Sequence, residues 1–382
     1  MTAPSVIVLG AGLAGAACAA VLAAQGCRLR LVAPAGGTPS RGETLSARAA
    51  PTLELLGWQD VLDPASALPG GDRYSVWGGP RLVRSPPPPG EHGGWHVDQR
   101  RLEDAVRTRL VRGGVERVVA RATGVRQTSR GVRVTVDGVG ELCADFVADC
   151  TGRTALTAAA GDRRRLDRLT ACHASLALAD EADVAAATLV EAVADGWWYS
   201  SPGPDRRLAV CYFSDSDLLP ARISKDPAVW AELVSATSAT SARLLSLGVS
   251  LAEACPQLAS AATIVSPTPW DRRIVRAGDA VAALDPLASN GLATALWSGT
   301  KVAWGILGLA DGSDAEIRRY EAAILDGVLN QLRAQVGMYG GEPRFRTHAF
   351  WSRRAEVLAR EVRVATRAEA AGGGSAASGW IG

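Results

Sequence analysis

The chain has 382 residues, 47% of them hydrophobic and 21% charged, with a formal net charge of +2. That length exceeds one compact core and implies two or three lobes. The composition excludes a mostly disordered chain, and the near-balanced charge gives no support for nucleic acid or an acidic membrane surface as a partner. Seven scattered cysteines (Cys18, Cys27, Cys143, Cys150, Cys172, Cys211 and Cys255) without a Cys-x-x-Cys pair fit reduced thiols, and the four histidines (His92, His96, His173 and His348) form no metal-ligand motif. The first apolar run has no basic leader before it and no apolar stretch is long enough to cross a bilayer, so the expectation is a cytoplasmic protein without a membrane segment.

Ser5 to Leu9 is a continuous, β-branched buried-strand pattern, followed at once by Gly10-Ala-Gly12-Leu13-Ala-Gly15 and an Ala-rich helix to about Gln25. Arg28 to Val32 reads as a second strand. Strand, glycine turn, helix and strand form a βαβ unit carrying the dinucleotide fingerprint: Gly10 permits the tight turn, Gly12 lets backbone approach a pyrophosphate, and Gly15 lets helix and strand pack closely. The acidic residue that usually grips the ribose at the end of the second strand is missing, because Val32-Ala33-Pro34 stands there. Arg41 to Gly57 reads as a loop and then a helix, Arg73 to Arg84 as extended, Val97 to Arg112 as a helix with Leu102, Val106 and Leu110 at four-residue steps, and Val115 to Val136 as a β-meander. Further strands are expected around Thr170–Leu178, Leu189–Tyr199 and Arg207–Phe213, a helix near Ala228–Leu247, and helical segments over Leu287–Leu309 and Asp314–Met338. Two later stretches, a strand ending in Asp149-Cys-Thr-Gly152 and Gly278-Asp279 after another strand, resemble the late return of the chain in glutathione-reductase-type flavoproteins, which implies FAD over NAD. The Asp279 carboxylate has the chemistry to accept two hydroxyl hydrogen bonds.

In order along the chain, Gly10-Ala-Gly-Leu-Ala-Gly15, Arg41-Gly-Glu-Thr-Leu45, Gly161-Asp-Arg-Arg-Arg-Leu-Asp-Arg168, Gly196-Trp-Trp-Tyr199, Gly278-Asp279, Asp285-Pro-Leu-Ala-Ser-Asn-Gly291 and Phe350-Trp-Ser-Arg-Arg354 resemble the flavin-dependent monooxygenase superfamily. Within it they resemble the tryptophan-halogenase-like branch, and most of all the flavoprotein maturases that hydroxylate peptidyl tryptophan for quinone cofactor formation. The resemblance implies an α/β fold: a glutathione-reductase-type (Rossmann-like) FAD domain with an inserted α+β substrate lobe and a C-terminal helical region. The expected division is 1–72, 96–168 and 270–310 for FAD, 73–95 and 169–269 for the substrate lobe, 311–367 for the helical region, and a disordered tail over 368–382. It also implies that Gly10, Gly12, Leu13, Gly15, Arg41, Glu43, Arg100, Asp149, Gly152, Gly278, Asp279, Pro286 and Gly291 bind the cofactor. Glu43, Trp197, Ser289 and Asn290 would serve catalysis, and His173, Trp197, Trp198 and Tyr199 would line the substrate pocket.

Halogenases of this branch need a lysine a few residues beyond the Gly-Glu pair. Here Gly42-Glu43 is followed by Thr-Leu-Ser-Ala-Arg-Ala-Ala-Pro-Thr-Leu, and lysine occurs only at Lys225 and Lys301. Arg48 is near, but a guanidinium stays protonated and is a poor nucleophile. The Gly-Trp-x-Trp-x-Ile-Pro signature also departs at Tyr199 and Ser201. The expected reaction is hydroxylation of an electron-rich ring, a Trp or indole on a protein or carrier-tethered substrate, through a C4a-hydroperoxyflavin, with O2 and with electrons from NAD(P)H or a separate flavin reductase. Halogenation of Trp or indole, flavin-dependent C=C reduction, and a non-catalytic binding module are the other readings. Beside each role stands a plainer one: Trp197, Trp198 and Tyr199 as strand packing between lobes, His173 as a core histidine, Asp285 as a helix cap, and Arg163–Arg165 with Arg168 as a solvated face.

Overall fold

A computed structural model describes residues 3–356 apart from 38–39, 90–92, 160, 180–184, 253 and 255, so the expected tail over 368–382 and the end of the helical region lie outside the described residues. The chain builds a mixed α/β fold with several sheets. The first sheet has six strands in the order Trp270–Asp271, Ile274–Arg276, Phe146–Asp149, Ser5–Leu9, Arg28–Ala33, Glu116–Val119, parallel except at the first of these. Ser5–Leu9 is central and buried on both faces, which is why its sequence is continuously apolar. The helix Leu13–Ala24 packs on this sheet and against the helix Gly291–Ala310. The two helices approach closely at Gly299, where a β-carbon would fall 2.1 Å from the Ala14 carbonyl oxygen.

The second sheet has seven strands in the order Gln257–Ser260, Leu169–Ala177, Arg207–Asp215, Gly196–Pro202, Thr188–Val193, Arg73–Val76, Val83–Ser85. One face, with Trp197 and Phe213, joins the main core, and the other, with Trp198, Tyr212 and Leu208, is covered by the helices Pro227–Ser235 and Ala239–Ser246. Two sequence expectations change here. The single strand expected over Leu189–Tyr199 is a hairpin turning at Ala194-Asp195, paired Val193 to Gly196. The single helix expected near Ala228–Leu247 is two. Buried Glu191 breaks it by accepting hydrogen bonds from the backbone N–H groups of Ser238, Ala239 and Thr240 and from the hydroxyls of Ser238 and Thr240, capping the second helix from a neighbouring strand.

The helix Gln99–Arg112 begins where Asp98 accepts from the Arg101 N–H at 3.0 Å, and it buries Leu102, Val106 and Leu110 as their spacing requires. The helix Ala315–Gly340 lies against Gly291–Ala310, and residues 349–356 are helical. No helix among the described residues is long and apolar enough to cross a membrane.

Candidate active site

Two cavities meet between the sheets. The longer, about 630 Å³, runs over the C-terminal ends of the six-stranded sheet and is lined by the Leu9–Ala14 turn, Val32–Gly37, Cys150–Thr154 and Ala277–Asp279. The other, about 250 Å³, lies against the seven-stranded sheet and is lined by Trp197, Tyr199, Phe213, His173 and Cys211. Arg41, Arg153, Asp279, Gly291 and Leu292 line both, so the cavities are continuous.

The long cavity is shaped by backbone. Gly10 has φ +95, and a β-carbon there would sit 2.2 Å from the Cys150 carbonyl oxygen. A β-carbon on Gly15 would sit 1.9 Å from the Gly10 carbonyl oxygen, so Gly15 closes helix onto turn and does not reach the cavity. Gly12 is different: its missing side chain would project into the open cavity, with Glu103 Oε1 the nearest atom at 3.4 Å. Arg41 and Arg153 stand at the junction, and the buried Nε of Arg41 has no partner among the described residues. An open backbone turn at a helix N-terminus and an unpartnered guanidinium N–H fit a phosphate-bearing, flavin-like group. Asp279 stands beside them, 3.5 Å from Arg153. Its side chain is 41% exposed, yet the exposed part is cavity wall, and this enclosure raises its pKa while Arg153 opposes the rise.

The second cavity is shaped by side chains. Successive residues of Gly196–Pro202 alternate, so Trp197, Tyr199 and Ser201 face the loop that carries Glu43. The Tyr199 hydroxyl donates to the Gly42 carbonyl oxygen at 3.0 Å and lies 2.9 Å from the Thr44 hydroxyl, and the Ser201 hydroxyl donates to the same Gly42 carbonyl at 3.1 Å. Gly42 is required at this contact, with φ +82 and a would-be β-carbon 2.2 Å from Ala209 Cβ. The two positions that break the Gly-Trp-x-Trp-x-Ile-Pro pattern therefore pin the Gly42–Thr44 loop to the sheet. Glu43 accepts from the Arg41 N–H (2.8 Å) and the Ser40 hydroxyl (3.2 Å), and burial raises its pKa against those bonds. Trp197 stacks on Phe213 with centroids 4.0 Å apart and donates its indole N–H to the Tyr339 hydroxyl at 3.2 Å. Tyr339 in turn donates to Asp285 at 2.6 Å. Burial raises Asp285 to about 6, and it also caps the turn Pro286–Ala288 through the Leu287 N–H. Behind it a cavity of about 230 Å³ holds Gln335, Arg353 and Arg354. Burial, aided by the charge of Arg41, lowers His173 to about 4, so its imidazole is neutral near pH 7.

The geometry brings together Gly10, Gly12, Leu13, Arg41, Gly152, Gly278, Asp279 and Gly291 along the long cavity, and Glu43, His173, Trp197, Tyr199, Pro286, Ser289 and Asn290 along the second. Four expected residues lie elsewhere, Gly15 among them, because it packs against the Gly10 carbonyl and lines neither cavity. Trp198 faces the opposite side of its strand, packed between Tyr212 and Trp230, because its neighbour Trp197 takes the cavity side. Asp149 is fully buried, and its carboxylate is consumed by the N–H and hydroxyl groups of Thr151 and Thr157. Arg100 is exposed, with its Cγ 3.5 Å from where a β-carbon on Gly37 would be, while Gln99, Glu103 and Arg107 of the same helix line the cavity. Sequence reading missed those three, together with Phe213 and Tyr339. Strict period-two alternation from Gly196 would have separated Trp197 from Trp198. No local signal marks Tyr339, which is 142 residues from its partner Trp197.

A family model described as "Tryptophan halogenase" matches residues 88–370. Among solved structures, one titled "Peptidyl tryptophan dihydroxylase QhpG essential for tryptophylquinone cofactor biogenesis" is similar at 26% identity and TM-score 0.76, over 92% of this chain and 79% of that one. The flavin-dependent halogenase CmlS is similar at 20% identity and TM-score 0.77, over 95% and 70%. The flavin-dependent brominase Bmp2 is similar at 16% and 0.75, over 96% and 100%. The last two likenesses speak to fold alone. No curated protein sequence matches the chain.

Proposed function

The chain belongs to the tryptophan halogenase family of flavin-dependent oxidoreductases, and from that premise we propose that it is an FAD-dependent monooxygenase that hydroxylates a tryptophan or indole ring held on a polypeptide or carrier. The observation that carries this reading is the second cavity's lining: aromatic and small side chains around Glu43, with arginines at its inner end and no lysine. Lys225 and Lys301 are both exposed and line neither cavity, so no amine stands where a halogenating member of the family needs one. The similarity to the peptidyl tryptophan dihydroxylase supports the same choice.

FAD bound in the long cavity, reduced and given O2, would supply electrophilic oxygen, with electrons from NAD(P)H or a flavin reductase. The chain's own residues bind, orient and exclude. The turn Gly10–Leu13 would hold the pyrophosphate on helix N–H groups, with Arg41 and Arg153 balancing its charge. Asp279 would accept from the flavin's hydroxyl chain. Pro286 to Gly291 would line the ring edge. Trp197 and Phe213, stacked on each other, form an apolar wall that would bound an indole and keep water out. Neutral His173 offers a hydrogen-bonding edge from the sheet, and Glu43, whose proton affinity is raised, is positioned to exchange a proton at its carboxylate oxygen.

The test is incubation of purified protein with reduced FAD, O2, and in parallel free tryptophan, indole and tryptophan-containing peptides, read by mass. Oxygen gain on the peptide with little on free tryptophan is expected. Loss of a C=C bond without oxygen gain would favour the reductase reading instead.

A further inference from the structure

The strand Arg28–Ala33 ends without the carboxylate that a dinucleotide fold ordinarily places against the adenosine ribose, and Ala33, Pro34, Gly36 and Gly37 line that part of the long cavity with no acidic side chain. A carboxylate is nevertheless present in the same space, delivered by a different element. Glu103, on the helix Gln99–Arg112, is 3% exposed and lines the cavity. Its Oε1 lies 3.4 Å from where a β-carbon on Gly12 would be, and its Oε2 lies 3.6 Å from the corresponding point on Gly37. The carboxylate thus bridges the glycine turn and the end of the second strand.

Its neighbours hold it there. Gln99 Nε2 donates to Glu103 Oε1 at 2.8 Å. Arg107 pairs with Oε2 at 3.5 Å, pairs with Asp104, and donates to the Ala11 carbonyl oxygen of the glycine turn at 3.3 Å. Both side chains of the Glu103–Arg107 pair are nearly fully buried, at 2% and 6% exposure. A buried carboxylate at this depth is stable only if paired, and the Arg107 charge also tempers repulsion between Glu103 and an incoming pyrophosphate.

We infer that Glu103 replaces the missing second-strand acid and grips the adenosine ribose hydroxyls of FAD, with Gln99 and Arg107 as positioning residues. The inference rests on the reading of the long cavity as an FAD site. A carboxylate accepts both vicinal hydroxyls at once, which an amide in the same place does only weakly. Helix-borne supply also explains how an Ala at the end of the second strand is compatible with nucleotide binding.

The experiment measures FAD affinity by quenching of flavin fluorescence in the wild type and in Glu103→Gln, and in the same assay displaces FAD with ADP and with 2′,3′-dideoxyadenosine diphosphate. Glu103→Gln preserves shape and is expected to weaken FAD by about 10- to 100-fold, the size of a lost charge-assisted contact. The wild type is expected to prefer ADP over the dideoxy compound by about tenfold or more, and the variant to lose that preference. Retention of FAD affinity within about twofold, or equal preference for ADP in both proteins, would overturn the assignment. Failure of the wild type to take up FAD at all would instead remove the flavin reading on which it depends.

Discussion

The two cavities are built by different physics. Around the long cavity, shape comes from backbone: Gly10 and Gly15 remove β-carbons that would otherwise fall inside carbonyl oxygens, and the helix N-terminus supplies its donors. Around the aromatic cavity, shape comes from side chains that reach across long stretches of sequence, as when Tyr199 clamps Gly42 and Thr44 or Trp197 meets Tyr339. In the first arrangement Gly10 and Gly15 leave no room for a side chain. The second can be retuned by a few side chains without disturbing the cofactor cavity, which is how one family scaffold can serve different reactions.

The strongest way to break this contrast is Gly10→Ala. Adding a β-carbon 2.2 Å from a carbonyl oxygen at φ +95 should cost about 3–5 kcal/mol and abolish flavin uptake, measured by denaturant unfolding and flavin retention. Near-normal flavin content in that variant would refute a backbone-built site. Next comes Asp285, whose pKa rises from 3.8 to about 6 through burial, with Tyr339 and the Leu287 N–H opposing, Arg354 also lowering it and Asp167 raising it. A raised carboxyl favours the protonated native state, so its stabilisation is present below pH 3.8 and is lost as pH climbs to about 6. Asp285→Asn should remove that decline, about 2–3 kcal/mol across the window, in unfolding measured against pH. An unchanged slope would show that the group titrates normally.

Tyr199→Phe should cost about 1–2 kcal/mol by leaving the Thr44 hydroxyl and Gly42 carbonyl each one partner short. Product formation should fall while FAD affinity stays put, which sharpens the separation of the two regions. Equal loss of FAD affinity would merge them. The smallest effect belongs to Arg100→Ala, which should change stability and FAD affinity by less than about 0.5 kcal/mol, because Arg100 lies outside the cavity that Gln99, Glu103 and Arg107 line.

The same contrast explains what the sequence made legible. The glycine turn, its flanking strands and the late Gly278-Asp279 return were readable because backbone constraints select residue types locally: only glycine fits at Gly10 and Gly15. The helix ending at Arg112 was readable because Leu102, Val106 and Leu110 keep its period. Less visible was anything decided by contacts across the fold. Trp197 and Trp198 are adjacent and chemically identical, yet the pleat sends one to the cavity and the other into the helix-covered core. Asp149 sits beside the cavity loop but spends its acceptors on Thr151 and Thr157. The break between the helices ending at Ser235 and starting at Ala239 carries a local sign in Thr237 and Ser238, with the Thr237 hydroxyl accepting from the Ser241 N–H at 3.0 Å, but its buried cap, Glu191, comes from far earlier in the chain.

The measurement that bears most directly on the account is turnover of a tryptophan-containing peptide with reduced FAD under isotopically labelled O2, in the presence of bromide, followed by mass. A cavity with Trp197, Phe213, His173 and Glu43 but no lysine should yield product carrying labelled oxygen and no bromine. Brominated peptide as the main product would contradict the account.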